Sequence, residues 1–278
     1  MKNTQQDRSF EQYRLDTRSA PPQGFHNVAG LANELEYLNP RWTDAHLTQL
    51  GWEQTAALKR HLAGLPQPFR VDVVIVSPLT RTLETAAGVF GGGDWAEADG
   101  AGPPLMLGHS EEPGLRSARA AISAVGCPPF VAYEAGGMKL PTGCREHLGI
   151  HFCDKRRSLS EVRPKFPGVD FTLIEDDDDK LWQPDRREST EELKRRGLHF
   201  IQWLMKRPES HIAVVSHGGL LQHSLSNLGR TAAPAVQGEL HLWFKNCEMR
   251  SVMLADEGGT HHPDRWSFPG GHQVATKA

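Results

Sequence analysis

The apolar residues of this chain fall into two alternating patterns: short β-branched runs and longer stretches at helical spacing. Residues 71–76 read Val-Asp-Val-Val-Ile-Val, a nearly continuous run that predicts a strand buried on both faces. Residues 212–215, Ile-Ala-Val-Val, predict a second buried strand. Each run is followed by a helical pattern. After the first, Ser77-Pro78 opens a stretch in which Leu79, Leu83, Ala86, Ala87 and Phe90 share a face, and the glycines at 91–93 stop it. After the second, Ser216-His217-Gly218-Gly219 leads into Leu220, Leu221, Leu225 and Leu228, and Gly229 closes the run.

Further helices follow from capping signals. Thr48 precedes a run whose apolar face would carry Leu50, Ala57, Leu58 and Leu62. Ser189 and Glu192 form a capping box ahead of Leu193, Gly197, Phe200, Ile201 and Leu204. Strands are expected at 129–134, 240–244 and 250–254, and a short helix at 115–125. Residues 24–30 read as a loop leading into a short helix. The Gly-, Pro- and acid-rich stretch 91–113 reads as an exposed loop. The acidic run 176–179 reads as a solvated loop, since it lacks the central Gly of a calcium loop. Residues 135–143 interrupt whatever follows the strand before them. Strands alternating with helices predict an α/β fold: a three-layer α/β/α sandwich with a mainly parallel sheet. No repeat or linker divides residues 24–255. Residues 1–23 form an irregular polar segment before this domain, and 256–278 a mobile tail after it.

Composition narrows the function. The 278 residues carry a net charge of −3 and no basic stripe, which gives no sign of nucleic acid as a partner. No apolar run approaches a membrane span, and the first residues lack the apolar core of a signal peptide. Cys127, Cys144, Cys153 and Cys247 are scattered without metal-ligand spacing, as expected of reduced thiols in a cytoplasmic protein with no metal.

The candidate chemistry sits where strands hand over to helices, the usual ligand position of an open α/β sheet. Arg81 lies in the first turn after one strand, and His217 stands just before the helix after the other. Exposed N–H groups at a helix start favour an anion, and Gly218 and Gly219 let the backbone approach it. A guanidinium can grip two phosphate oxygens at once. Glu146, in a polar segment, is the candidate acid for a leaving oxygen. A lone histidine here more often satisfies a core hydrogen bond, so His217 gains weight only from its companions. Neither a Cys-x5-Arg loop, a Gly-x-Ser-x-Gly turn nor a P-loop is present.

Four ordered motifs carry a family resemblance. Residues 77–86, Ser-Pro-Leu-Thr-Arg-Thr-Leu-Glu-Thr-Ala, resemble the arginine element of the histidine phosphatase superfamily, the phosphoglycerate-mutase-like proteins. Val214-Val215-Ser216-His217-Gly218-Gly219 resembles its second-histidine element, and Cys144-Arg145-Glu146-His147-Leu148-Gly149 its acid/base segment. Leu47-Thr48-Gln49-Leu50-Gly51-Trp52-Glu53-Gln54 resembles its Leu-Thr-x-x-Gly-x-x-Gln helix start. Gly24-Phe25-His26-Asn27-Val28 and Cys153-Asp154-Lys155-Arg156-Arg157-Ser158 resemble segments of its plant and fungal branch. The resemblance implies a phosphoglycerate-mutase-like fold and phosphoryl chemistry on a phosphorylated small molecule, without metal or other cofactor. It casts Glu146 as proton donor and His217 as second histidine. Arg81, Asn27, His217 and Gly218 would line the phosphate pocket. Hydrolysis is favoured over mutase chemistry, since nothing marks a site for retaining a phosphorylated intermediate.

The resemblance departs at the first motif. The family places Arg-His-Gly or Arg-His-Ala at the end of a first, central strand, just before the segment matched by Gln23-Gly24-Phe25-His26-Asn27. Here Ala20-Pro21-Pro22 precedes it, so Pro21 stands where the attacking histidine is expected, and no apolar run marks the strand. This and the interruption near residues 136–143 both abut intact motifs, as a displaced exon boundary would produce. His26 is the nearest substitute imidazole, although relatives carry it in addition to the nucleophile. A chain of this kind either turns over phosphate monoesters poorly or binds them without turnover.

Overall fold

The computed structural model describes residues 24–96, 102–135, 142–229 and 233–254. The expectations for 1–23, including Pro21, and for the tail at 256–278 lie outside the described residues, as does most of the interruption at 135–143.

The sheet is built outward from β1 (Val73–Val76), whose residues are at most 2% exposed. The β-branched run leaves nothing polar to solvate, so the strand takes the middle of a parallel sheet. β1 pairs in parallel with β2 (Phe130–Ala132) on one side and β6 (Ile212–Val215) on the other, and β5 (Val169–Asp170) adds beyond β2. The order is β5-β2-β1-β6. A separate antiparallel pair joins β3 (Glu134–Ala135) to β4 (Thr142–Gly143), so the chain is paired on either side of the interruption.

Strand alternation sends the side chains of β1 to two different cores. Val74 and Val76 join Trp52 of α2 (Gln49–Ala63) and Leu83 of α3 (Thr80–Phe90). Val73 and Ile75 join Leu193 and Phe200 of α5 (Thr190–Leu204) and Leu220 of α6 (Gly218–Leu225). These two faces make the expected three-layer α/β/α arrangement. Local signals hold where a side chain sets the helix start. The Thr48 hydroxyl accepts the Gly51 N–H at 3.0 Å, and Ser189 and Glu192 complete the capping box of α5. Gly197 lies where α5 meets α6, and any side chain there would overlap Ser224.

Several elements differ from expectation. Residues 25–32 are helical from Phe25 onward, forming α1 (Phe25–Ala32). In α2 the buried face carries Trp52, Thr55 and Leu62, while Ala57 is exposed. The helix expected at 115–125 is extended chain. Ile122 pairs with Met106 and Arg119 with His109, and the Ile122 carbonyl accepts from Leu105 and Met106. The same pairing limits the exposed-loop reading of 91–113: Leu105 and Met106 are buried in the core, while most of the other described residues there are exposed. The strand expected at 240–244 is replaced by α7 (Pro234–His241), with Pro at its start. Residues 250–254 form no strand. Arg250 instead donates to the carbonyls of Glu239, Leu242 and Trp243, folding that segment back on α7.

The acidic run divides. Asp176, Asp177 and Asp178 are exposed, but the Asp179 carboxylate is fully buried and takes two hydrogen bonds at 2.7 Å from Arg145. Arg156, read as part of a polar basic stretch, has a fully buried side chain paired with Glu134 at 3.0 Å. It donates also to the carbonyls of Asp176, Asp177 and Asp178. β6 is half-buried rather than buried, because it is the last strand of the described sheet. No helix among the described residues is long and apolar enough to cross a membrane.

Candidate functional site

A cavity of about 860 Å³ opens along β6 and ends in a polar cup at the carboxyl ends of β1 and β6. Along β6 its wall is mainly apolar, with Phe200, Ile201, Leu221 and Phe244. At the cup it is lined by His26, Asn27, Arg81, Glu146, His217 and Gly218. All the residues singled out from sequence for chemistry therefore face one space.

His217 ends β6 and caps α6 with extended backbone. Its ring is buried, and the Ser77 hydroxyl, at the end of β1, lies 2.8 Å from its Nε2. Burial pushes the imidazole well below its ordinary pKa, and the positive charges of Arg81 and Arg145 push the same way. His217 is thus a neutral ring near pH 7. No side chain caps the start of α6, so its first N–H groups and the positive end of its dipole face the cup.

The start of α3 differs. Its first N–H, from Thr80, is taken at 2.6 Å by the buried carboxylate of Asp44, whose other oxygen accepts the Thr80 hydroxyl at 2.7 Å. Of the two helix ends expected to face an anion, one is already closed by an internal carboxylate. Arg81 follows Thr80 and reaches into the cup. It donates to the Cys153 carbonyl at 2.6 Å and to Asp154 at 3.0 Å. Those two bonds engage two of the five N–H donors of a guanidinium.

Glu146 is held against the start of α6. Its Oε1 accepts the N–H of His147 at 3.0 Å and occupies the place a side chain on Gly219 would fill. Burial raises its carboxyl pKa, and the charge of Asp154 adds to the rise. The group is biased toward the protonated, donating form. Its backbone is fixed from behind by the buried Arg196, which donates to the carbonyls of Arg145 and Glu146 and pairs with Glu188 at 2.7 Å.

The rim comes from α1. The Asn27 side chain accepts from the Tyr37 hydroxyl at 3.3 Å. His26 is buried, its Nδ1 has no hydrogen-bond partner, and burial followed by the charge of Arg81 holds its pKa well below the usual value. Gly218 adjoins Trp243, whose indole nitrogen a Cβ there would meet at 3.3 Å.

Three cup residues carried no sequence signal as site residues: Asp154, Arg187 and Tyr37. Asp154 bridges Arg81 and Arg187, the latter at 3.4 Å, and Tyr37 stacks on His151 with ring centroids 5.3 Å apart. Asp154 stood inside a quoted segment, but only as a mark of resemblance. Nothing in spacing singles out Arg187. The arrangement can bind a dianion, align it on a helix start and offer a proton.

Residues 33–96 and 156–263 match the family profile of the histidine phosphatase superfamily (branch 1). Arg81 and His217 lie within the matched residues; His26, Asn27 and Glu146 lie outside them. Over 234 residues the chain is 44% identical to phosphoglycerate mutase-like protein 1 of Arabidopsis thaliana, covering 84% of this chain and 78% of that protein. It is 42% identical over 251 residues to a phosphoglycerate mutase-like protein of the same plant, covering 89% and 88%. It is 27% identical over 252 residues to the probable phosphoglycerate mutase PMU1 of Saccharomyces cerevisiae, covering 78% and 72%. With a profile match over most of its length and relatives of this similarity, the chain belongs to the histidine phosphatase superfamily.

Proposed function

We propose that this protein binds phosphate monoesters of small molecules in the cup and hydrolyses them poorly. The observation that carries the reading is the meeting of Arg81, a neutral His217 and a protonation-biased Glu146 at the uncapped start of α6. A phosphate dianion there takes N–H donors from the guanidinium and the helix start. The ester oxygen then faces Glu146, which can give it a proton as the P–O bond breaks. A neutral His217 adds a directional hydrogen bond rather than a second full charge.

Poor hydrolysis follows from the nucleophile. Superfamily chemistry passes through a phosphorylated histidine, and that imidazole must stand in line with the P–O bond. The position aligned with it by the neighbouring residues 23–27 is Pro21, which has no nucleophilic atom. Two measurements test the proposal. Inorganic phosphate and vanadate are expected to raise the melting temperature of the wild type, and Arg81→Ala to abolish the rise. Release of nitrophenol from nitrophenyl phosphate is expected to stay near background. No thermal shift would overturn the binding half. Brisk release that disappears in His217→Ala would overturn the impaired half.

The unpartnered Nδ1 of His26 favours a second reading. In it, a His26 nitrogen attacks phosphorus, the bond to the alcohol breaks, and Glu146 protonates the departing oxygen. Water then displaces the imidazole and releases phosphate. An acid-labile phosphate on the wild type that is lost in His26→Gln would support it; catalysis unchanged in His26→Gln would dismiss it.

A further inference from the structure

Outside the cup, three segments far apart in sequence bring His46, Glu84 and His109 together. None of the three lines the large cavity. Glu84 projects from α3 and is wholly buried. One of its oxygens accepts the Leu47 N–H at 2.8 Å. The other lies 2.6 Å from Nδ1 of His46 and 3.3 Å from Nε2 of His109. The two rings stand 5.5 Å apart at an angle of 61°.

A shared proton between His46 and Glu84 accounts for the shorter contact. It does not account for His109. Both ring nitrogens of His109 are shut off from solvent: Nδ1 has no partner, and Nε2 meets only the carboxylate oxygen that His46 already holds, at 3.3 Å. His109 is thus held by one long contact to an oxygen it shares, with Nδ1 left idle. Yet the ring is anchored there, because the backbone of His109 exchanges hydrogen bonds of 2.8 and 2.9 Å with Arg119. An ion bound to the Nε2 lone pair would give that nitrogen a partner of its own.

We propose that His46 Nδ1, Glu84 Oε1 and His109 Nε2 form a binding site for one zinc-class divalent transition-metal ion, with a fourth position for water. Two imidazoles and a carboxylate suit such an ion, whereas calcium and magnesium seek shells of oxygen. Tetrahedral ligands at 2.0–2.2 Å stand roughly 3.3 Å from one another. His109 and Glu84 already have that separation. His46 and Glu84 are closer, as a proton-bridged pair should be, so binding expels that proton and opens the pair by roughly half an ångström or slightly more. The Leu47 N–H fixes the second carboxylate oxygen, the kind of outer support that orients a ligand. Partial exposure of the two rings, 12% for His46 and 16% for His109, leaves a route in. The His46 carbonyl accepts the Phe25 N–H at 3.2 Å, so an ion here would also steady the start of α1, which carries His26 and Asn27 into the cup.

The test uses the full chain stripped by a chelator and titrated with zinc by calorimetry, then with cobalt(II) by visible absorption. One equivalent is expected to bind and raise the melting temperature. The cobalt form should show the intense bands of four-coordination without thiolate charge transfer. His109→Phe, which removes the ligand but fills the ring's space, is expected to weaken zinc binding at least about tenfold. Its thermal response to phosphate without metal should stay unchanged. Should that variant fold poorly, His46→Gln keeps a hydrogen-bonding group beside Glu84 and is expected to show the same loss. Absence of zinc binding in the wild type overturns the proposal. So does an equivalent that persists at the same affinity in the substituted chain, or a cobalt spectrum dominated by thiolate.

Discussion

Gly219 shows how a single residue shapes the cup. Any side chain on it would displace the Glu146 carboxylate. Gly219→Ala is therefore expected to push the carboxylate out of place with little change in stability, since only a side-chain end must move and Ala favours the helix, and to weaken the thermal response to phosphate; urea unfolding and a thermal-shift titration check the two effects. Glu146 also sets a pH dependence. Its pKa is raised, chiefly by burial, so any phosphate release should decline as pH climbs through that elevated value. His26 and His217 act on stability instead. Burial lowers both well below the ordinary value near 6.5, with Arg81 contributing to each and Arg145 and Arg196 to His217. The unfolded chain then binds more protons than the folded one below about pH 6.5. Stability should fall there by up to about 1.4 kcal/mol per pH unit for each histidine, until its folded pKa is reached. Urea midpoints of wild type and His217→Asn across that range check the sign, and the variant should show the shallower loss. Arg81, Glu146 and His217 were legible because each stands in an ordered motif. Asp44 and Asp154 were not, since a carboxylate that closes a helix start or bridges two arginines needs no fixed spacing in the chain.

At the level of elements, the buried ion pairs decide what stays in place. Arg145 joins Glu134 of β3 to Asp179, and Arg156 ties the same Glu134 to the loop at 176–178. Arg145 also donates to the Asp154 carbonyl, so this network backs the residue that pairs with Arg81. Arg145→Leu would leave the buried Asp179 carboxylate without its cation, while Glu134 keeps Arg156, and should destabilise by about 3–5 kcal/mol. Ser189→Ala, which removes only a cap, should cost about 1 kcal/mol. Urea unfolding of both variants tests that ranking. The capping box and the run that became β1 were readable because their causes are local. The extended chain at 115–125 was not. Its residues suit a helix, but Met106 and His109 pair with Ile122 and Arg119, and distant backbone partners leave no periodic trace. The acidic run misled for a related reason: solvation was the right expectation for Asp176 to Asp178, and only the buried arginines singled out Asp179.

Across the whole molecule, the layered α/β arrangement was legible from alternating strands and helices, while the order of the strands was not. That order gives the cup two unlike walls. β1, which leads to Ser77 and Arg81, has a neighbour on each side; β6, which leads to His217, has one among the described residues. The register turns the N–H and C=O groups of Ile212 and Val214 away from β1, toward the cavity. The guanidinium thus hangs on a stiff mount and the imidazole on a compliant one. Backbone deuterium uptake should consequently be much faster at Ile212 and Val214 than at Val74 and Ile75. An anion gripped by both walls would splint the softer to the harder, so slowing of uptake along β6 would report occupancy of the cup without any turnover at all.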